Sequence, residues 1–359
     1  MDILFTTGRE LEYPRNSLLY KYLLKYHNIK YVGRRRGRGN ILLQSILNTI
    51  GMIENAILNN PSLYFIGFYG HLIMLFAGRL INEPILFDAF LSTYDTLCFD
   101  RNMFSPNSIF GRIAKWVDHA SCDRASRIIL DTETHAHYFS ETLGVPKDKI
   151  DILFVGCDED IFHPTNSNVS KDNLVLFYGT LLKLHGIEII LQSADLLNKY
   201  GIKFRIIAPL KKLKLFSANK FKLQNVELIE PVALEILPFH ISEATVCLGG
   251  HFGSSEKASR VIASKTFQCI SMGKPTIVGE NPANHELLTH GFDSWFCPMN
   301  DAYALAESIK YLIDNPNILK MLGENAFQTF RQKASSEVLS SKLAEIINKT
   351  FIEHFSSRQ

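Results

Sequence analysis

Two series of short β-rich runs, each run followed by a helical stretch, constrain this chain more than any other feature. In the first half DILFTT, SLYFIGF, EPILFDAF and RIILDT alternate with helical periods around LLYKYLLKY, HLIMLFAGRL, Ile113 to Cys122 and Glu133 to Leu143. Strand, helix, strand in that order is what a parallel sheet with covering helices requires. A polar stretch, TNSNVSKDN, then interrupts the pattern. A second series follows, with NLVLFYG, KFRIIAP, VELIEP, ATVCLGG and KPTIVGE as strands and IEIILQSADLLNKY and AYALAESIKYLI as helices.

These runs divide the chain into an N-terminal Rossmann-like domain over 1–164, a linker over 165–173 and a second Rossmann-like domain over 174–334. A final helix over 335–359 is expected to pack back on the first domain. With 359 residues, of which 46% are hydrophobic, the chain is long enough for two such cores. Two doubly wound halves of this kind are expected to face each other across a cleft at the carboxyl edges of their sheets, where ligands bind.

Charge narrows the partners. A net charge of +2 does not suit a surface built to neutralise nucleic acid, so no nucleic-acid partner is expected. Locally, Arg34, Arg35, Arg36 and Arg38 form a basic run that suits anionic lipid or an anionic acceptor. The apolar segment from Tyr64 to Ile81 is interrupted by Gly67, Gly70, His71 and Arg79, which favours strand, turn and helix over a membrane span. The six cysteines are widely spaced and match neither a disulfide framework nor a metal site; with no signal-peptide charge order at the start, they point to reduced thiols in a cytoplasmic protein.

Candidate chemistry gathers where strands end. Gly8 closes the first strand, and Gly179, with Thr180, Lys183 and His185 behind it, closes the first strand of the second half. Glycine at such a turn lets backbone amides approach an anion. The turn of the second half satisfies neither a dinucleotide nor a P-loop fingerprint. The densest cluster is Lys257, Arg260 and Lys265, three cations just before or at the start of a helix near Ser264; such groups suit a diphosphate. In the first half, Asp88 ends PILFD and could orient or deprotonate a hydroxyl, with Asp95 close behind and His71 at another strand–helix junction. His135 and His137 point to different helix faces and make no metal pair, and Asp158-Glu159-Asp160 lies outside the nucleotide-binding half. No metal site is expected.

The motifs YGTLLKLHGIE, KASRVIASKTFQCISMGKPTIVGENPANHELLTHG and DAYALAESIKYLIDNPNILKMLGENA, with FDAFLSTYDT, RNMFS and VGCDEDIFHP in the first half, resemble glycosyltransferase family 4, the glycosyl transferases group 1, of the GT-B superfamily. The resemblance implies a retaining, metal-independent transferase using a nucleotide-sugar donor as substrate and no cofactor. The basic run and the apolar first-domain helix, for their part, point to a glycan or lipid-linked acceptor, in polysaccharide or glycolipid synthesis at the inner face of the cytoplasmic membrane. The resemblance assigns the diphosphate to Arg260 and Lys265, the phosphates to the amides of Gly179 and Thr180, and the ribose and donor sugar to Glu286. One departure stands out: the family's two glutamates fall here on Arg260 and Gln268. That departure keeps open a catalytically inactive nucleotide-sugar-binding protein of the same fold; an epimerase would need an acid–base pair the sequence does not offer.

Overall fold

The computed structural model describes residues 1–37, 39–59, 61–165, 173–211, 213 and 223–356. Two compact units result: Met1–Val155 with Glu337–Gln359, and Gly156–Ser336. Most of the expected 165–173 linker, and Arg38 of the basic run, lie outside the described residues.

The first unit holds a six-stranded sheet in the order β2-β1-β3-β4-β5-β6, every pairing parallel. Its strands are β1 Asp2–Thr6, β2 Asn28–Val32, β3 Leu63–Ile66, β4 Ile85–Asp88, β5 Arg127–Leu130 and β6 Ile150–Ile152. The three central strands β3, β4 and β5 are buried at every position, as expected of parallel strands covered on both faces. Helices Pro14–Leu24 and Ser336–Ser356 pack on one face, through Leu18, Leu19, Leu343 and Ile347. Helices Ile41–Asn59, His71–Ala77, Ile109–Arg124 and Glu133–Leu143 cover the other, through Met52, Met74, Ala114 and Phe139. Each fully buried large aliphatic or aromatic side chain contributes roughly 1.5–3 kcal/mol.

The second unit repeats the plan in the order β12-β11-β10-β7-β8-β9, again all parallel. Here β7 is Leu174–Tyr178, β8 Lys203–Ile207, β9 Val226–Ile229, β10 Val246–Leu248, β11 Thr276–Gly279 and β12 Trp295–Cys297. Read from its first strand, this is the dinucleotide-fold order, with the direction of winding reversing between β7 and β10. In the first unit the reversal falls between β1 and β3. At both places the connecting helices leave in opposite directions and open a crevice beyond the carboxyl ends.

The sequence reading missed the edge strands β2 and β12. NIKYV is partly exposed along its length and WFC is three residues long, so neither presents a buried apolar run. Beyond AYALAESIKYLI a second helix follows at once, Ala302–Asp314 then Pro316–Lys333, because Pro316 lacks the amide to continue the first and suits the first turn of the second. All six cysteines are buried and free.

Candidate functional site

In the second unit the winding reversal puts two glycine turns side by side. β7 ends at Gly179, φ +155°, where a Cβ would stand 3.3 Å from His185 Cε1 and 3.6 Å from Lys265 Cε. β10 ends at Gly249-Gly250-His251, and a Cβ on Gly250, φ +79°, would stand 3.8 Å from Lys265 Nζ. Both turns therefore border the end of the Lys265 side chain, and both have a backbone conformation that favours glycine.

Lys265 is the second residue of the helix Ser264–Ser271, whose N-cap, Ala263, offers no side chain to the first-turn amides. The lysine is 6% exposed, with its ammonium 5.3 Å from the Phe177 ring centroid. Among the described residues no carboxylate lies within ion-pair distance of it. Burial pushes its pKa down to about 8, so at neutral pH it remains a cation.

Two imidazoles sit beside this charge. The rings of His185 and His251 stack at 5.5 Å with an interplanar angle of 8°, and the Nδ1 of each is buried without a hydrogen-bond partner. Burial first, and the charge of Lys265 second, pushes both histidines below their ordinary value. Both are neutral at pH 7 and leave the positive charge at this corner to lysine. His251 escaped the sequence reading, although its setting in GGHFG directly after a strand mirrors the glycine-flanked His185.

The neighbouring elements carry the other candidates. The helix Glu256–Arg260 packs against both the turn Lys183–His185 and the helix Pro282–Leu287. That contact brings the segments bearing Lys257, Arg260, Lys183, His185 and Glu286 to the same edge. Arg260 is buried, with Nη1 3.4 Å from Glu256 Oε2; Lys257 and Glu286 are half-buried, and Thr180 and Lys183 are exposed. Gln268 lies one helical turn beyond Lys265, and its Oε1 accepts a 2.9 Å hydrogen bond from the hydroxyl of Tyr178. A Cβ on Gly279, at the end of β11, would fall 2.0 Å from the carbonyl oxygen of His251, so glycine is required there for β11 to pack against that turn.

The first unit treats its candidates differently. Asp88, at the end of β4, is wholly buried and gripped by Arg15: Nη2 to Oδ1 at 2.9 Å and Nε to Oδ2 at 3.2 Å. The remaining guanidinium nitrogen reaches the carbonyl of Phe154 at 3.2 Å. Burial pushes the Asp88 carboxyl up while Arg15 pulls it down. With both oxygens engaged, Asp88 anchors Arg15 and is not presented to a substrate hydroxyl; the base role expected from sequence does not fit this geometry. Asp131, at the next strand end, accepts from His135 Nδ1 at 2.6 Å in the same buried region.

His71 is buried edge-on to Phe87, its Nε2 3.4 Å from Asp118 Oδ1, and burial lowers its pKa. Asp118 accepts from the amides of Thr93 and Tyr94 and from the Ser92 hydroxyl, which fixes the turn where Asp95 is buried. Gly8 donates its amide to Phe68, and a Cβ there would fall 1.9 Å from the carbonyl oxygen of Tyr69. Contact between the loops after β1 and β3 thus explains this glycine, whose amide is already engaged. None of these partners was legible in sequence, since Arg15 and Asp88 are 73 residues apart.

Among the described residues no group of three or more His, Cys, Asp or Glu is placed to hold a metal ion. In the Asp158-Glu159-Asp160 run, Glu159 accepts from the amide of Ser336. A hollow of about 380 Å³ lies at the opposite, amino edge of the second unit's sheet, but there Arg205 is already paired with Glu227 and Glu243.

Residues 158–329 match the family described as glycosyl transferases group 1. No curated protein sequence matches the chain. Among solved structures, sucrose-phosphate synthase from Thermosynechococcus elongatus superimposes with a TM-score of 0.78 at 13% identity, over 98% of this chain and 100% of that one. HepE from Anabaena, in complex with UDP, gives 0.75 at 14% identity over 97% and 100%. A glycosyltransferase from Rickettsia africae gives 0.69 at 14% over 97% and 98%. The chain thus has the GT-B fold in two Rossmann-like units, and its second unit matches the model of the glycosyl transferases group 1 family over residues 158–329.

Proposed function

We propose that the protein transfers a sugar from a nucleoside diphosphate donor to a glycan or lipid-linked acceptor, with retention of anomeric configuration and without a metal ion. The observation that carries this reading is Lys265, a buried cation without a carboxylate partner among the described residues, enclosed by the glycine turns after β7 and β10. A buried, uncompensated ammonium is costly in the free protein, and an anion at the same corner removes that cost. The start of Ser264–Ser271, which no side chain caps, adds to the attraction. HepE, similar in fold, has been solved with UDP and with UDP-glucose, which supports a nucleotide sugar as the ligand class.

In this reading Lys265 and the turn amides stabilise the charge that develops on the leaving diphosphate as the donor bond breaks, and Arg260 completes the positive field. Neutral His185 and His251 shape the pocket wall without competing for charge. Glu286 reaches the donor's ribose or sugar. The first unit receives the acceptor, with Arg15–Asp88 holding its loops in place.

A panel of nucleotide sugars screened by thermal shift, followed by assay of the double variant Arg260→Ala/Lys265→Ala for transfer and free nucleotide release, tests this directly. Loss of both activities is expected, and undiminished turnover would remove the assigned roles. A second reading, a binding protein without turnover, draws on Gln268, which stands where the family has a glutamate and accepts a hydrogen bond from Tyr178. Donor binding by the wild type with neither transfer nor hydrolysis across a broad acceptor panel would favour it.

A further inference from the structure

The helix Ile41–Asn59 is built inside out. Its packed face carries Ser45, Asn48 and Thr49 together with Met52, all buried. Asn48 Nδ2 donates to the carbonyl of Thr7 at 2.7 Å and its Oδ1 accepts from Gln44 at 2.6 Å, while the Thr49 hydroxyl donates to the Ser45 carbonyl at 2.7 Å. On the outer face Leu42, Leu43, Leu47, Ile50, Ile57 and Leu58 are between 49% and 80% exposed. A helix at the surface of a water-soluble domain places its stripes the other way round. The only charged side chain on the helix is Glu54.

We infer that this outer face docks onto an anionic lipid surface, lying in the interface and not crossing it. By length and composition Ile41–Leu58 could span a bilayer, but its polar side is tied to the end of β1 and the helix covers one face of the sheet. Lifting it out would leave Asn48 and the Thr7 carbonyl unpaired. The flanks supply charge complementarity: Arg34, Arg35 and Arg36 are exposed just before the helix. The Arg36–Glu12 pair, 87% and 54% exposed, is too solvated to cancel them.

The same helical layer carries a matching edge. On Ile109–Arg124, Phe110, Ile113 and Trp116 are exposed beside exposed Arg112 and Lys115, the mixture of aromatic, aliphatic and basic groups that suits the headgroup boundary. A second protein chain fits less well. Apart from Glu54, the outer stripe presents no hydrogen-bonding side chain, whereas protein interfaces carry about one hydrogen bond per 100–200 Å². Lipid tails require none. The inference stands on the first unit alone and does not depend on the transferase reading.

Sedimentation of the full chain with phosphatidylcholine vesicles, and with vesicles of phosphatidylcholine and phosphatidylglycerol in equal parts, tests it. The wild type should pellet with the anionic vesicles and release with added salt. Replacing Leu43, Leu47 and Ile50 with Gln should weaken binding roughly a hundredfold, and replacing Arg34, Arg35 and Arg36 with Gln roughly tenfold or more. These side chains are exposed, so melting temperatures should hold. Ile57→Gln alone, the most exposed position on the stripe, should still weaken binding several-fold. Absence of wild-type binding to anionic vesicles, or undiminished binding by the Leu43/Leu47/Ile50 variant, overturns the proposal. A wild-type dimer in lipid-free solution that the same variant dissolves overturns it too, in favour of a second copy.

Discussion

The two units share a parallel, doubly wound topology but handle buried charge in opposite ways. In the first, Arg15 and Asp88 satisfy each other at a strand's end, and the remaining guanidinium nitrogen is taken by a backbone carbonyl. In the second, Lys265 occupies the corresponding edge beside two neutral histidines, with no carboxylate partner among the described residues. A buried pair holds a fold together; a buried cation with no carboxylate partner stays costly until an anion joins it, which is the ground of the proposed diphosphate site. One scaffold thus yields a closed corner and a receptive one, and the difference lies in whether a carboxylate is supplied from within.

Variants at the closed corner should show the largest effect. Asp88→Ala leaves the Arg15 charge buried and unpaired and should destabilise the first unit by about 3–5 kcal/mol in urea denaturation. The double replacement Arg15→Met/Asp88→Leu should recover most of that loss, because no charge remains to solvate. Failure of Asp88→Ala to destabilise would erase the contrast between the two units.

At the receptive corner the signs separate. Lys265→Met should stabilise the unliganded protein, since a lysine held at about 8 instead of 10.5 opposes folding by on the order of 3 kcal/mol. The same change should weaken nucleoside diphosphate binding about a hundredfold. A variant less stable than wild type would mean that the lysine has a partner in the free protein.

Acidity sharpens the same point. The folded-state value of Lys265 lies below its unfolded value, so the unfolded chain binds more protons between about pH 8 and pH 10.5. The cost of burying the charge is fully present below pH 8 and is released as pH rises through that window. Binding of an anion runs the other way, with affinity falling about fivefold from pH 8 to pH 9, and about tenfold from pH 7 to pH 9, as the lysine loses its proton. The smallest effect is expected at Tyr178→Phe, which removes the hydrogen bond to Gln268 at about 1 kcal/mol and should leave diphosphate affinity near that of wild type.

Both sheets were legible in sequence where strands are buried and apolar, as in LYFI, ILFD and LVLFY, and faded where they reach a sheet edge, as in NIKYV and WFC. The receptive corner was legible in part because its glycines, Gly179, His185 and Lys265 sit in local patterns of turn and helix start. The closed corner was not, because pairing across 73 residues leaves no periodic trace. Nor was the reversed helix Ile41–Asn59. Periodicity marks which stripe is apolar, while the direction it faces depends on Asn48 finding the Thr7 carbonyl.

Calorimetric titration of a nucleoside diphosphate into wild type and Lys265→Met at pH 7 and pH 9 tests the central claim most directly. The account predicts saturable binding to the wild type at pH 7, about tenfold weaker at pH 9, and at least hundredfold weaker and insensitive to pH in the variant. Equal affinity of wild type and variant at pH 7 would contradict it.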